Sequence, residues 1–224
     1  MRRTLPEPRA ISNRHVTLGL HEPCLDVLVP ERFVPSPLRW FNGCMTHPWH
    51  DIPVDPDTIE TALPVVIEIP AGSKNKYELE KNSGILKLDR VLYSSVHYPA
   101  NYGFIPRSFC DDGDPLDVLV LGQGPVHPLT LVYVRPIGVM HMRDQGKSDD
   151  KILAVHANDP SVNHILELDD APPHVMTEIH RFFLDYKVLE EKEVVVEPFA
   201  GRTRALAVIR QALEDYWAMR RAEK

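Results

Sequence analysis

From residue 64 onward the chain alternates short apolar runs with turn residues. Val65-Val66-Ile67-Glu68-Ile69, Tyr77-Glu78-Leu79 and Ile85-Leu86-Lys87-Leu88 are the first strand candidates, punctuated by Gly72 and Gly84. Leu116–Leu121, Leu131–Val134, Ile137–Met140 and Ile152–Val155 continue the series. The period then changes. Val175, Ile179, Phe182, Phe183, Tyr186 and Leu189 recur at helical spacing over 174–190, and Leu206, Ile209, Leu213 and Trp217 do so over 203–221. A strand at Glu193–Val196 separates the two helices. Short strands joined by turn signals predict a small closed barrel rather than a parallel sheet. No internal repeat is visible.

The first quarter reads differently. Nine of the 21 prolines fall in residues 1–56. Proline fixes φ and removes a backbone donor, so this segment is expected to be an irregular arm preceding the domain at 57–224. Its Val27-Leu28-Val29, Trp40-Phe41 and Trp49 offer apolar groups to dock on the main body or on a neighbouring subunit.

At 224 residues with 43% apolar and 25% charged side chains, the chain fits one globular domain carrying an extra arm. No apolar run approaches the roughly 18 residues that a bilayer span needs, so no membrane partner is expected. Met1-Arg2-Arg3-Thr4-Leu5-Pro6-Glu7 lacks the apolar stretch of a secretory signal. Cys24, Cys44 and Cys110 are odd in number without close pairing, which argues against a disulfide framework and for the cytoplasm. The formal charge of −7 argues against nucleic acid, whose phosphates need a basic footprint. The acidic excess serves solubility, gathers carboxylates around cations, or does both; local spacing decides.

The most informative spacing is Asp111-Asp112-Gly113-Asp114-Pro115-Leu116-Asp117-Val118. Asp112, Asp114 and Asp117 sit on a turn made by Gly113 and Pro115 and leading into an apolar strand. Two carboxylates 4 Å apart repel by about 4 kcal/mol at an effective dielectric near 20. A bound dication reverses that sign, and hard oxygen ligands suit Mg²⁺ or Mn²⁺. The turn alone leaves open a solvated Asx turn. A calcium loop is also open, although the bidentate Glu that an EF-hand needs at its twelfth position is missing.

A second acidic turn, Asp144-Gln145-Gly146-Lys147-Ser148-Asp149-Asp150-Lys151, lies between two strand candidates. Two acidic loops at strand ends are placed to converge on one rim of a barrel. Paired metal ions roughly 3.5–4 Å apart are a known arrangement for phosphoryl hydrolysis. Cations and phenols accompany them. Lys76 and Glu78 share one face of a strand, Arg90 ends the next, Tyr98 and Tyr102 flank Pro99-Ala100-Asn101, and Tyr186-Lys187 sits on the first helix. For each tyrosine singly, core packing is the commoner role. Lys87 and Lys192 are assigned no site.

Val65-Val66-Ile67-Glu68-Ile69-Pro70, Lys76-Tyr77-Glu78, Asp89-Arg90, Tyr98-Pro99-Ala100-Asn101-Tyr102-Gly103, Asp112-Gly113-Asp114-Pro115-Leu116-Asp117 and Phe182-Phe183-Leu184-Asp185-Tyr186-Lys187 occur in this order. Together they resemble the signature of the family I soluble inorganic pyrophosphatases. The resemblance covers residues 64 to about 197, and His47-Pro48-Trp49-His50-Asp51 is similar to a segment of the eukaryotic, plant-like branch. It implies an α+β, mainly β fold: a five-stranded OB-like closed barrel flanked by two helices.

The resemblance also implies roles. Asp112, Asp117, Asp144 and Asp149 would be metal ligands, with Asp117 bridging two ions. Asp114 would be the general acid/base beside the attacking water. Lys76, Arg90, Tyr102, Lys151, Tyr186 and Lys187 would hold the phosphates, and Glu68, Glu78 and Tyr98 would support them or an additional metal. The expected cofactor is Mg²⁺, with Mn²⁺ as a substitute, and the expected substrate is diphosphate. Metal coordination lowers the pKa of water from 15.7 to about 7, so in-line attack needs no covalent nucleophile. Family members commonly form symmetric homo-oligomers, which the arm would extend or block. The rival readings are a nucleic-acid-binding barrel, a catalytically incidental scaffold and another metal phosphohydrolase. A zinc role for His47 and His50 gives way to packing against Trp49, in keeping with the resemblance of this segment to the plant-like branch.

Overall fold

The structure, a computed structural model, describes residues 46–222. Its centre is a barrel of five strands: β1 (Leu63–Ile69), β4 (Asn101–Phe104), β5 (Asp117–Leu121), β9 (Lys151–His156) and β6 (Leu131–Met140). They pair in that order, antiparallel except for β5 with β9, and β6 returns to β1 to close the ring. β2 (Asn75–Leu79) and β3 (Leu86–Val91) form a separate hairpin. β7 (Met142–Asp144), β8 (Lys147–Ser148) and β10 (Val194–Val196) make a small second sheet, and β11 (Ala200–Gly201) adds to β6. Two helices, α1 (Pro173–Asp185) and α2 (Arg202–Ala222), pack on the body.

The strand period of two sorts side chains into two cores. Val118 and Val120 of β5 and Ile152 and Ala154 of β9 join the cluster that includes Ala205, Leu206 and Ile209 of α2. Leu119, Leu121, Leu153 and Val155 turn the other way, into the cluster with Ile179, Phe182 and Phe183 of α1. Because both faces are covered, these strands read as continuous apolar runs, and all seven residues of β1 are buried.

The sequence reading holds for the barrel and both helices, with local differences beyond the separate β2–β3 hairpin and the short β7, β8 and β11. β4 was not anticipated, since Asn-Tyr-Gly-Phe lacks aliphatic alternation. Its Gly103 crosses β1 so closely that a Cβ would stand 2.0 Å from the Val66 carbonyl oxygen. The expected strands 131–134 and 137–140 are one ten-residue β6, in which a register shift between Pro136 and Gly138 absorbs the missing proline N–H. The helix expected over 174–190 stops at Asp185 and gives way to a one-turn 3-10 segment at Val188–Glu190; Val188 and Leu189 are exposed, so nothing there extends the apolar stripe. Trp49 is buried on the body: its indole N–H donates to the Ser108 carbonyl at 2.8 Å, and it packs near Tyr216 of α2. Val27–Val29, Trp40 and Phe41 lie outside the described residues.

Candidate active site

One end of the barrel opens into a cavity of about 430 Å³. Of the fourteen site residues expected from the sequence, thirteen line it; the exception is Arg90. They arrive from separate parts of the chain, each positioned by a local device.

Glu68 is the extra residue of a β-bulge in β1: Ile67 pairs with Gly103 and Ile69 with Tyr102. Bulges re-aim side chains, and this one directs Glu68 to accept the Leu79 N–H at 2.7 Å. Burial, helped by the charge of Asp117, pushes the Glu68 carboxyl up to about 8. A second bulge, at Asp89, brings Lys76 and Arg90 opposite each other on the hairpin. Lys76 Nζ contacts Glu78 closely and lies 3.6 Å from Asp89.

The acidic turn is set by Gly113 at φ 87° and by the Asp114 N–H donating to Asp112 Oδ1 at 3.0 Å. The Leu116 N–H donates to the buried Ser108 Oγ at 2.8 Å, fixing the entry into β5. Burial holds the Asp112 carboxyl above its usual range. Lys81, from the turn of the β2–β3 hairpin, pairs with Asp114 and donates to the Gly113 carbonyl at 2.9 Å. Sequence reasoning passed over Lys81, and Lys87 also lines the cavity, 3.5 Å from Glu78. Position relative to the paired strand was the only available signal for either lysine.

Asp117 opens β5 directly across from Lys151, the first residue of β9. Lys151 is 2% exposed, donates to Asp117 Oδ2 at 2.5 Å and also contacts Asp149. Burial works against its charge, but the two carboxylates outweigh it and hold the ammonium well above its usual pKa. Asp144 ends β7 and Asp149 follows β8; between the two strands Gln145 and Gly146 both take positive φ, as a tight twisted turn requires. Lys187, just beyond α1, pairs with Asp144 through Oδ2, while Asp144 Oδ1 is buried without a partner. Burial raises the phenols of Tyr98, Tyr102 and Tyr186, keeping them neutral hydrogen-bond donors.

Arg90 lies opposite Lys76 on the paired strand, within electrostatic reach of Tyr98 and Tyr186. Its Nε donates to Glu190 at 2.8 Å and its NH1 to Asp89 at 2.5 Å. Burial disfavours the charge of Asp89, but Lys76 and Arg90 prevail and lower its pKa. His50 stacks on Trp49 with ring centroids 4.6 Å apart, the packing role expected, and His47 Nε2 lies 3.0 Å from the Lys81 carbonyl oxygen.

The cavity therefore presents carboxylates, ammonium groups and phenols, with no thiol or imidazole among the described residues that line it. A profile described as inorganic pyrophosphatase matches residues 65–217. The chain belongs to the family I soluble inorganic pyrophosphatases. It is 51% identical to soluble inorganic pyrophosphatase 2 of Chlamydomonas reinhardtii, over 80% of this chain and 93% of that one. It is 52% identical to the soluble inorganic pyrophosphatase of Zea mays, over 83% and 86%. The crystal structure of the inorganic pyrophosphatase from Thermus thermophilus superposes with a TM-score of 0.70 at 41% identity, covering 74% of this chain and 96% of that one. As a pyrophosphatase the chain hydrolyses diphosphate to orthophosphate. Family I enzymes are metal-dependent. Among the described residues no helix is long and apolar enough to cross a membrane.

Proposed function

We propose that the pyrophosphatase reaction runs in this cavity with Mg²⁺, for which Mn²⁺ substitutes, held by Asp112, Asp117, Asp144 and Asp149. The donor set fits a hard dication: every carboxylate offers oxygen, and Asp144 Oδ1 is a buried acceptor without a partner. Among the described residues no three such groups already converge on one point, because Lys151 and Lys187 sit against the carboxylates, so ion binding entails their partial displacement. When bound, the metal supplies positive charge that acidifies water and neutralises phosphate oxygens.

The remaining work falls to the chain. Asp114 takes the proton of the attacking water as its oxygen bonds to one phosphorus. The bridging P–O bond then breaks, and the proton passes to the leaving orthophosphate. Lys76, Lys151 and Lys187 act as point charges, and Tyr102 and Tyr186 as neutral donors, toward oxygens whose charge grows in the transition state. Arg90, beside Lys76, offers its unpartnered NH2 to the same oxygens. Glu68, Glu78 and Tyr98 hold these groups in place.

The convergence of thirteen such groups from separate segments on one cavity carries this reading. Orthophosphate release from diphosphate, a nucleoside triphosphate and a phosphomonoester, each with Mg²⁺, Mn²⁺, Ca²⁺ or a chelator, tests it. Diphosphate turnover is expected with Mg²⁺ and Mn²⁺ but not with Ca²⁺, whose longer bonds and higher coordination number suit attack geometry poorly. Robust turnover with Ca²⁺ alone would contradict the metal assignment.

The same reading includes a cytoplasmic homo-oligomer in which residues 1–56 form an extension to the catalytic domain at 57–224. Cys110, a free thiol raised by burial, suits a reducing compartment. Tyr93 and Leu189 are each more than 60% exposed, apolar area that a second copy would cover. Imaging of the tagged chain tests the compartment. Light scattering and melting of a chain lacking residues 1–45 test the assembly, with a changed mass or melting temperature and an unaltered kcat expected.

A further inference from the structure

Glu190 lies outside the cavity lining, yet it is among the most deeply placed carboxylates near it, with a side chain 6% exposed. It belongs to the one-turn segment that follows α1, where its N–H donates to the Lys187 carbonyl at 2.9 Å and Glu191 at φ 55° ends the turn. Its Oε1 accepts from Arg90 Nε at 2.8 Å, across 100 residues of sequence, while Lys192 Nζ stands 3.2 Å from Oε2.

Arg90 is in turn the register partner of Lys76, and Asp89 lies against both. An alternating chain of charge thus runs from Lys76 through Asp89 and Arg90 to Glu190. It joins the β2–β3 hairpin, which belongs to neither of the other sheets, to the turn that presents Lys187. Lys76 and Lys187 both line the cavity and come from the two elements so joined. Of the three guanidinium nitrogens, Nε and NH1 are committed to carboxylates, and NH2 is buried without a partner. Its free donors match an anionic oxygen acceptor of the phosphate class.

We propose that Glu190 is a positioning residue for diphosphate binding: it pins Arg90 and, through it, the spacing between Lys76 on the hairpin and Lys187 on the terminal turn. The inference rests on the cavity being the diphosphate site. A buried ion pair stripped of one partner leaves the other charge uncompensated, so loss of the Glu190 carboxylate leaves Arg90 held by Asp89 of its own hairpin alone and unfixes the hairpin from the turn. Substrate binding suffers, whereas the acidic turns, which Glu190 does not touch, keep their metal affinity.

The test is a double-mutant cycle on the full chain, with kcat, KM for diphosphate and Mg²⁺ affinity measured for each protein. Glu190→Ala is expected to raise KM about tenfold with kcat within about twofold. Glu190→Gln, which keeps an acceptor oxygen, is expected to raise it less. Neither should weaken Mg²⁺ binding, and in an Arg90→Ala background Glu190→Ala should add nothing further. A folded Glu190→Ala with wild-type KM, or effects of the two substitutions that simply add, would overturn the inference. So would failure of both Glu190 variants to fold, which would make the residue a structural brace only. If Glu190→Ala alone fails to fold, Glu190→Gln carries the same cycle. Absence of diphosphate turnover in the wild type would instead refute the site assignment, so the two failures are separable.

Discussion

Replacing Lys151 with Met isolates the strongest electrostatic feature of the cavity. Methionine keeps the length and volume of the aliphatic stem while removing an ammonium that is 2% exposed and contacts both Asp117 and Asp149. The two contacted carboxylate oxygens stand no farther apart than about two short hydrogen bonds, roughly 5 Å. At an effective dielectric near 20 they repel by about 3 kcal/mol once the ammonium is gone. One-sided removal from buried ion pairs costs about 3–5 kcal/mol, which agrees. Urea unfolding in a chelator should therefore show Lys151→Met less stable than wild type by about 3 kcal/mol. Saturating Mg²⁺ should shrink that gap, because a dication supplies the missing positive charge. A metal-free variant within about 1 kcal/mol of wild type, or a gap that Mg²⁺ leaves unchanged, would refute this reasoning.

Three further outcomes follow from the geometry. Asp114→Asn should lower kcat by roughly 10²–10⁴, the range of general acid–base catalysis, with Mg²⁺ affinity largely intact, whereas Asp117→Asn should weaken Mg²⁺ binding; equal affinity losses by calorimetry would sink that division of roles. Glu68 has its pKa raised from 4.5 to about 8 on folding, so its protonation stabilises the metal-free fold fully below pH 4.5, and that contribution is lost as pH rises through 8. Relative to Glu68→Gln, wild-type stability should fall by about 1.4 kcal/mol per pH unit between those values, and parallel pH–stability curves would contradict it. Gly103→Ala places a Cβ 2.0 Å from a backbone oxygen that cannot rotate away; it should cost at least the 1–3 kcal/mol of ordinary overpacking, and an unchanged denaturation midpoint would count against the close β1–β4 crossing.

The barrel was legible because its strands are buried on both faces and are punctuated by glycine and proline. The acidic turn at Asp112–Asp117 was legible for the same reason, with Gly113 and Pro115 marking the bend. What stayed hidden depends on register. The pairing of Asp117 with Lys151 joins two strands 34 residues apart, and nothing local announces it. The bulge at Asp89 sets Arg90 directly opposite Lys76, a pairing that strand alternation alone could not show. β4 was missed because close packing there demands Gly103, which reads as a turn residue in isolation. Lys81 was missed because its role comes from the hairpin reaching over the acidic turn.

The most direct test of the account is diphosphate turnover in Mg²⁺ by wild type and by Asp117→Asn, alongside a fold control by circular dichroism. Wild type should release orthophosphate rapidly until a chelator abolishes turnover, and a folded Asp117→Asn should have lost most of it. A folded variant with near-wild-type turnover, or wild-type turnover that survives complete chelation, would contradict the claim that these carboxylates hold the metal on which diphosphate hydrolysis depends.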